Sequence, residues 1–137
     1  MDVWLSVVAV VGAAVLVASV VVQVRWRRRT RAERDAVRYD MARVHKMVRQ
    51  GSPVGEDDRL AAVLDVEQHV LILPNGVAGL LLAGAIAFNT GTTPAGTTFR
   101  YAVGGLMAVS AFASTAIVAG YIVTARRLGI RPRSLWQ

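Results

Sequence analysis

The stretch Arg25-Trp26-Arg27-Arg28-Arg29-Thr30-Arg31 follows directly on twenty-two residues, Val3–Val24, that carry no charge. An arginine at the centre of a bilayer costs about 2.5–3.5 kcal/mol, so a cluster of this size stays on the side where it is made. The run before it is long enough to cross a hydrocarbon core as a helix, and too long for the core of a signal peptide. Only Met1-Asp2 precedes it, with no basic residue. The expectation is an uncleaved first span over 1–24. Asp2 lies outside, and Arg25, Arg27, Arg28, Arg29 and Arg31 lie inside among anionic lipid headgroups. Trp4 and Trp26 are expected at the two interfaces.

Composition agrees with the membrane class. Apolar residues make up 54% of 137, with no Cys, and mean hydropathy is +0.44. Without Cys there are no disulfides, thiol nucleophiles or thiolate metal ligands. Lys46 is the only lysine beside many arginines, and Ala, Val and Gly abound. That bias points to a GC-rich genome, bacterial or phage. The net charge of +7 is unevenly placed: eleven basic residues fall in 25–69 and four in 125–137, leaving only Arg100 elsewhere. A positive-inside topology accounts for this without a nucleic-acid ligand.

Beyond the arginines the pattern becomes amphipathic. Val37, Met41, Val44 and Val48 follow 4-3-4 spacing and share one helical face, while charged side chains occupy much of the remainder. This stripe can seat a partner helix, lie on headgroups, or pack on the chain's own next helix. No Gly or Pro separates it from the first span, so either one long helix or a bend at the arginines is compatible with it. Gly51-Ser52-Pro53-Val54-Gly55 ends it, and Glu56-Asp57-Asp58 places carboxylates at the start of a second helix, where the dipole favours them. Leu60, Val63, Leu64 and Glu67 share that helix's apolar face. Residues 25–69 thus read as a cytoplasmic helical hairpin.

A membrane hairpin follows over 70–124. Its spans are 70–88 and 101–124, with an outer loop over 89–100 and a basic cytoplasmic tail, 125–137, that begins with Arg126 and Arg127. Pro74-Asn75-Gly76 predicts a kink or a delayed start of the second span. Gly79, Ala83 and Ala87 form a small-residue row, and Gly104, Ala108, Ser110 and Ser114 supply small positions on the third span for helix packing. Trp136 is expected to anchor the tail in headgroups. The fold class is therefore an all-α integral membrane protein with three transmembrane helices, N-out and C-in, in the cell's inner (cytoplasmic) membrane.

Reaction chemistry is sparse. Asp65 and His69 stand at i,i+4 and can share a metal ion or a proton, but two ligands do not make a site. His45 lies among charges and is assigned no role. Glu56, Asp57 and Asp58, with Asp65 and Glu67, offer carboxylates for Mg²⁺, although a helix start attracts carboxylates for structural reasons. The spans contain no Asp, Glu, Lys, Arg or His, the usual marks of an ion pathway. No catalytic, cofactor-binding or metal residue is assigned, and no cofactor or small-molecule substrate is expected. The leading expectation is a non-enzymatic protein acting through helix–helix association, as a homo-oligomer or an accessory subunit of a larger membrane complex. In outline, three spans with a basic tail resemble the three-span holins of bacteriophages. That resemblance implies a pore or membrane-lesion former, though the 25–69 segment is longer than their connections. A membrane-edge metal-dependent enzyme or sensor using Asp57, Asp58, Asp65 and His69 is a third reading.

The Cys-less chain makes topology directly measurable. Thr98→Cys should react with a membrane-impermeant maleimide in intact cells, whereas Ser52→Cys should react only after permeabilisation.

Overall fold

A computed structural model of the chain describes residues 3–89 and 93–133. Among the described residues it is all-helical: α1 Val3–Arg29, α2 Arg31–Ala36, α3 Met41–Arg49, a 3-10 turn Glu56–Asp58, α4 Arg59–Phe88 and α5 Pro94–Arg127. Three helical stretches are long and apolar enough to cross a membrane: Val3–Arg29, Glu56–Phe88 and Pro94–Arg127. Their large side chains point outward, with Trp4 80%, Leu106 70%, Phe112 67% and Ile117 74% exposed. A soluble monomer rarely leaves so much contiguous apolar surface uncovered, so these faces suit lipid tails.

The chain divides into two compact units. The first comprises Met1–Val20 and Leu73–Ala116. Its helices approach closely wherever a glycine removes a side chain. A Cβ on Gly104 would lie 2.8 Å from the Ala87 Cβ and 2.9 Å from the Ala83 carbonyl oxygen. One on Gly79 would lie 3.1 Å from Ala111, and one on Gly12 3.2 Å from Leu81 and Leu82. The small row of Gly79, Ala83 and Ala87 is thus turned onto α5 of the same chain. Ala83 and Gly104 are buried and Ala108 half-buried, but Ser110 and Ser114 are exposed. Without a hydrophobic drive between helices in lipid, such contacts act through dispersion at short range.

Two boundaries differ from expectation. Pro94–Arg100, expected in the outer loop, is already helical. The Thr93 hydroxyl accepts from the Gly96 N–H at 3.3 Å, and proline at the first helical position forfeits only a donor that would go unpaired anyway. Arg100 then donates to the Asn89 carbonyl beyond the end of α4. Pro74-Asn75-Gly76 does not delay the second span, because α4 runs unbroken through Pro74. Residues 90–92 of the loop lie outside the described residues.

The second unit comprises Val21–Ile72 and Ile117–Gln137. One unbroken helix from the first span through the amphipathic stretch does not form. α1 stops at Arg29, and a further turn at 37–40 separates α2 from α3. At the first break, where Thr30 takes φ −96° and ψ 10°, its hydroxyl donates to the Trp26 carbonyl at 2.9 Å alongside its own N–H. Gly51 and Gly129 have φ of +70° and +76°, and each ends its helix in a paired hydrogen-bond motif. Ser52 N–H donates to Met47 O and Gly51 N–H to Val48 O; Ile130 N–H donates to Ala125 O and Gly129 N–H to Arg126 O. Left-handed backbone is what glycine adopts at no steric cost, so both stops are sharp.

The face Val37, Met41, Val44 and Val48 is filled from within. Val44 and Val48 are fully buried with Ala61, Ala62, Val66, Tyr121, Ala125 and Ile130, and Val37 and Met41 pack against that core. Of the occupants considered for this stripe, the chain's own α4 and α5 take it, so it is not free to seat an external helix. Leu60, placed by the pattern on the apolar face, is 38% exposed, whereas Ala61, Ala62, Leu64, Asp65, Val66 and Glu67 are all buried. Several neighbours surround α4 here, so its burial does not follow a one-faced period.

Gly104→Leu should lower stability by about 1–3 kcal/mol through overpacking against Ala87 and Ala83. Gly105→Ala, where a Cβ would meet nothing within 4 Å, should be neutral or stabilising by under about 1 kcal/mol. Thermal unfolding in detergent, followed by circular dichroism, compares the two.

Candidate functional site

The polar side chains of the second unit gather round one turn of α4. Asp65 and Glu67 are 6% and 2% exposed. A buried carboxylate is tolerated only if hydrogen bonds and opposite charge replace its lost hydration. Each has recruited its own set of partners.

Asp65 faces α3 and α5. Its Oδ2 accepts from the Tyr121 hydroxyl and lies 2.9 Å from His45 Nδ1. His69, one turn along α4, places Nδ1 2.7 Å from the Asp65 main-chain oxygen and 3.6 Å from Oδ1. A carbonyl oxygen can only accept, so His69 carries its proton on Nδ1; an ionised Asp65 sets the same tautomer for His45. The imidazoles stack with centroids 5.2 Å apart and planes 13° apart. The Tyr121 ring lies 4.8 Å from His45 and 4.5 Å from His69. One ligand atom from each of His45, Asp65 and His69 lies within 4.8 Å of the others.

Glu67 faces the other way. Its Oε2 accepts from Trp26 Nε1–H at 3.0 Å, and its Oε1 accepts from the Arg133 main-chain N–H at 3.0 Å and from Nε–H at 2.8 Å. Arg133 also reaches Glu33 at 2.9 Å. Hydrogen bonds to Glu67 first and Glu33 second hold its guanidinium above the ordinary arginine value. The Gly129 stop makes this return of the chain feasible, since it turns Ile130 into the core. Trp26, expected at the membrane interface, is buried within the chain against Leu64 and Leu71. Its indole N–H finds a better acceptor in Glu67 than headgroup water offers. Trp136 lies outside the described residues.

The arginine cluster divides. Arg27, Arg28, Arg31, Arg34 and Arg38 line a cavity of about 700 Å³ in which Asp35 is the only acid among the described residues. The Arg34 guanidinium also sits 5.6 Å from the centre of the Trp26 ring. Arg25, Arg29, Arg126 and Arg127 are exposed and do not line it. The acidic group at 56–58 joins neither carboxylate cluster: Asp58 pairs with Arg43 at 2.8 Å, Glu56 pairs with Arg59 at 3.7 Å, and Asp57 is exposed.

His45, Tyr121 and Arg133 were thus the partners that sequence reasoning passed over. One signal pointed to His45: it sits between Val44 and Val48, so packing that stripe on α4 carries the imidazole with it. Nothing in the sequence marks Tyr121 or Arg133 as partners of Asp65 and Glu67. Comparison of this chain with protein-family models, curated proteins and solved structures finds no match.

Arg133→Ala would leave Trp26 as the Glu67 side-chain donor and should lower stability by about 1–3 kcal/mol, the value of a hydrogen bond to a charged group. Arg133→Ala with Glu67→Gln should recover part of the loss, because the stranded charge is gone. Melting midpoints of the wild type, the two single variants and the double variant complete the cycle.

Proposed function

We propose that this chain is a non-enzymatic, three-span protein of the cytoplasmic membrane, N-out and C-in. It acts through helix–helix association, as an oligomer or an accessory subunit, and holds anionic headgroups at its arginines. The observation that carries the reading is the separation of polar chemistry from the spans. No Asp, Glu, Lys, Arg or His falls in 70–88 or 101–124, while five arginines surround one cavity at the end of the first apolar run.

A phosphate diester carries one diffuse negative charge, and guanidinium groups bind it through paired N–H donors. Five of them facing one acid leave a strong net positive field, and basic residues near an anionic leaflet are each worth about 1 kcal/mol. Association then falls to surfaces that the chain does not cover itself. The small-residue row of α4 is already used within the first unit. Exposed Ser110 and Ser114, set among exposed Leu106, Val109 and Phe112, offer hydroxyls that are worth little against lipid and about 0.6 kcal/mol each against another helix.

The decisive experiment purifies the full chain from bacterial membranes and counts retained phospholipid by native mass spectrometry, with crosslinking before extraction. We expect retained phosphatidylglycerol or cardiolipin and crosslinked species larger than the monomer. Replacing Arg27, Arg31, Arg34 and Arg38 with Gln should cut the retained anionic lipid severalfold. Equal retention by the variant would remove the lipid assignment, and a strictly monomeric protein with no crosslinked partner would remove the association assignment. Prompt loss of membrane potential on induction would favour a pore instead.

A further inference from the structure

The geometry points to a second site with different chemistry: His45, Asp65 and His69 form a binding site for a divalent transition-metal ion of the zinc class. The three come from two helices, α3 and α4, that are joined by the loop around Gly51 and Gly55. Their ligand atoms already lie within 4.8 Å of one another. Tetrahedral zinc holds nitrogen and oxygen at about 2.0–2.2 Å, which sets ligand atoms about 3.3–3.6 Å apart. His69 Nδ1 and Asp65 Oδ1, 3.6 Å apart, already stand at that distance.

The donor set fixes the class of ion. Two imidazoles and one carboxylate suit Zn²⁺ and its first-row neighbours, whereas Mg²⁺ and Ca²⁺ prefer oxygen ligands throughout. Oδ2 accepts from the Tyr121 hydroxyl, which leaves Oδ1 to face a cation. Neutral imidazole exchanges its proton between ring nitrogens, so the nitrogen facing the ion supplies the lone pair and no net proton is released. Tyr121 donates to the carboxylate and lies against both rings, the outer-shell support that metal ligands require.

Access is also suitable. Asp65 is buried, but the His69 side chain is 20% and the His45 side chain 38% exposed. An ion can therefore enter from water and keep a water or an exogenous ligand at its open position. Bound there, it would pin the nine-residue α3 to α4 and make the packing of the second unit metal-dependent.

The test titrates Zn²⁺ into the full-length, metal-stripped protein in detergent micelles by calorimetry. Mg²⁺ serves as the control, and Co²⁺ as the spectroscopic probe. One Zn²⁺ per chain should bind saturably and raise the melting midpoint, Co²⁺ should give a visible ligand-field band, and Mg²⁺ should do neither. His45→Gln and His69→Gln should each weaken Zn²⁺ by more than about tenfold, and Tyr121→Phe, which acts through Asp65, by about 10–100-fold. Zn²⁺ affinity unchanged in the double variant H45Q/H69Q would overturn the site. If that variant loses its helical circular dichroism, the wild-type protein still decides: no saturable uptake and no Co²⁺ band would overturn the site equally.

Discussion

Two carboxylates buried on a single turn of α4 are the constraint on which the second unit depends. Asp65 and Glu67 are two positions apart and point to opposite sides of the helix, so one set of partners cannot satisfy both. The physical requirement that buried charge be hydrogen-bonded draws in α3 and α5 on one side. On the other it draws in the end of α1, α2 and the segment after α5. Short helices that would be marginal alone are held because each contributes a partner: His45 from α3, Glu33 from α2, Trp26 from α1.

The first unit is built on the opposite principle. There the helices meet through absence of side chains, at Gly12, Gly79 and Gly104, and the close approach lets dispersion and carbonyl contacts replace the hydrophobic drive that lipid does not supply. Large apolar residues are turned outward and small ones inward, the reverse of a soluble bundle. Among the described residues, buried charge falls in the second unit and the close glycine contacts in the first. The proposed functions follow that division, with association assigned to the exposed apolar faces and ligand chemistry to the second unit.

How much was legible can be read from particular residues. The arginines after Val24 and the three uncharged runs were plain, because charge and hydropathy are properties of a short window of sequence. The Val37-Met41-Val44-Val48 stripe was found by its period, but its occupant was not, since a helical face announces that it is buried and not by what. The early start of α5 escapes a reading of 89–100 as loop, although a hydroxyl residue before proline is equally a helix start. Trp26 belongs by its type to a membrane interface, and that reading names no partner within the chain. Its acceptor is buried and 41 positions away.

The sequence by itself determined the three apolar helices, the breaks at Gly51–Gly55 and after Phe88, and the arginine clusters that flank the spans. These are local consequences of side-chain hydropathy, backbone freedom and the cost of burying charge. Only the tertiary structure decided that His45 meets Asp65 across 20 positions, Tyr121 across 56 and Arg133 reaches Glu67 across 66. Contacts at such separations leave no periodic trace in the chain. They exist because packed helices bring distant turns together, and because a carboxylate enclosed there must find donors wherever the fold supplies them.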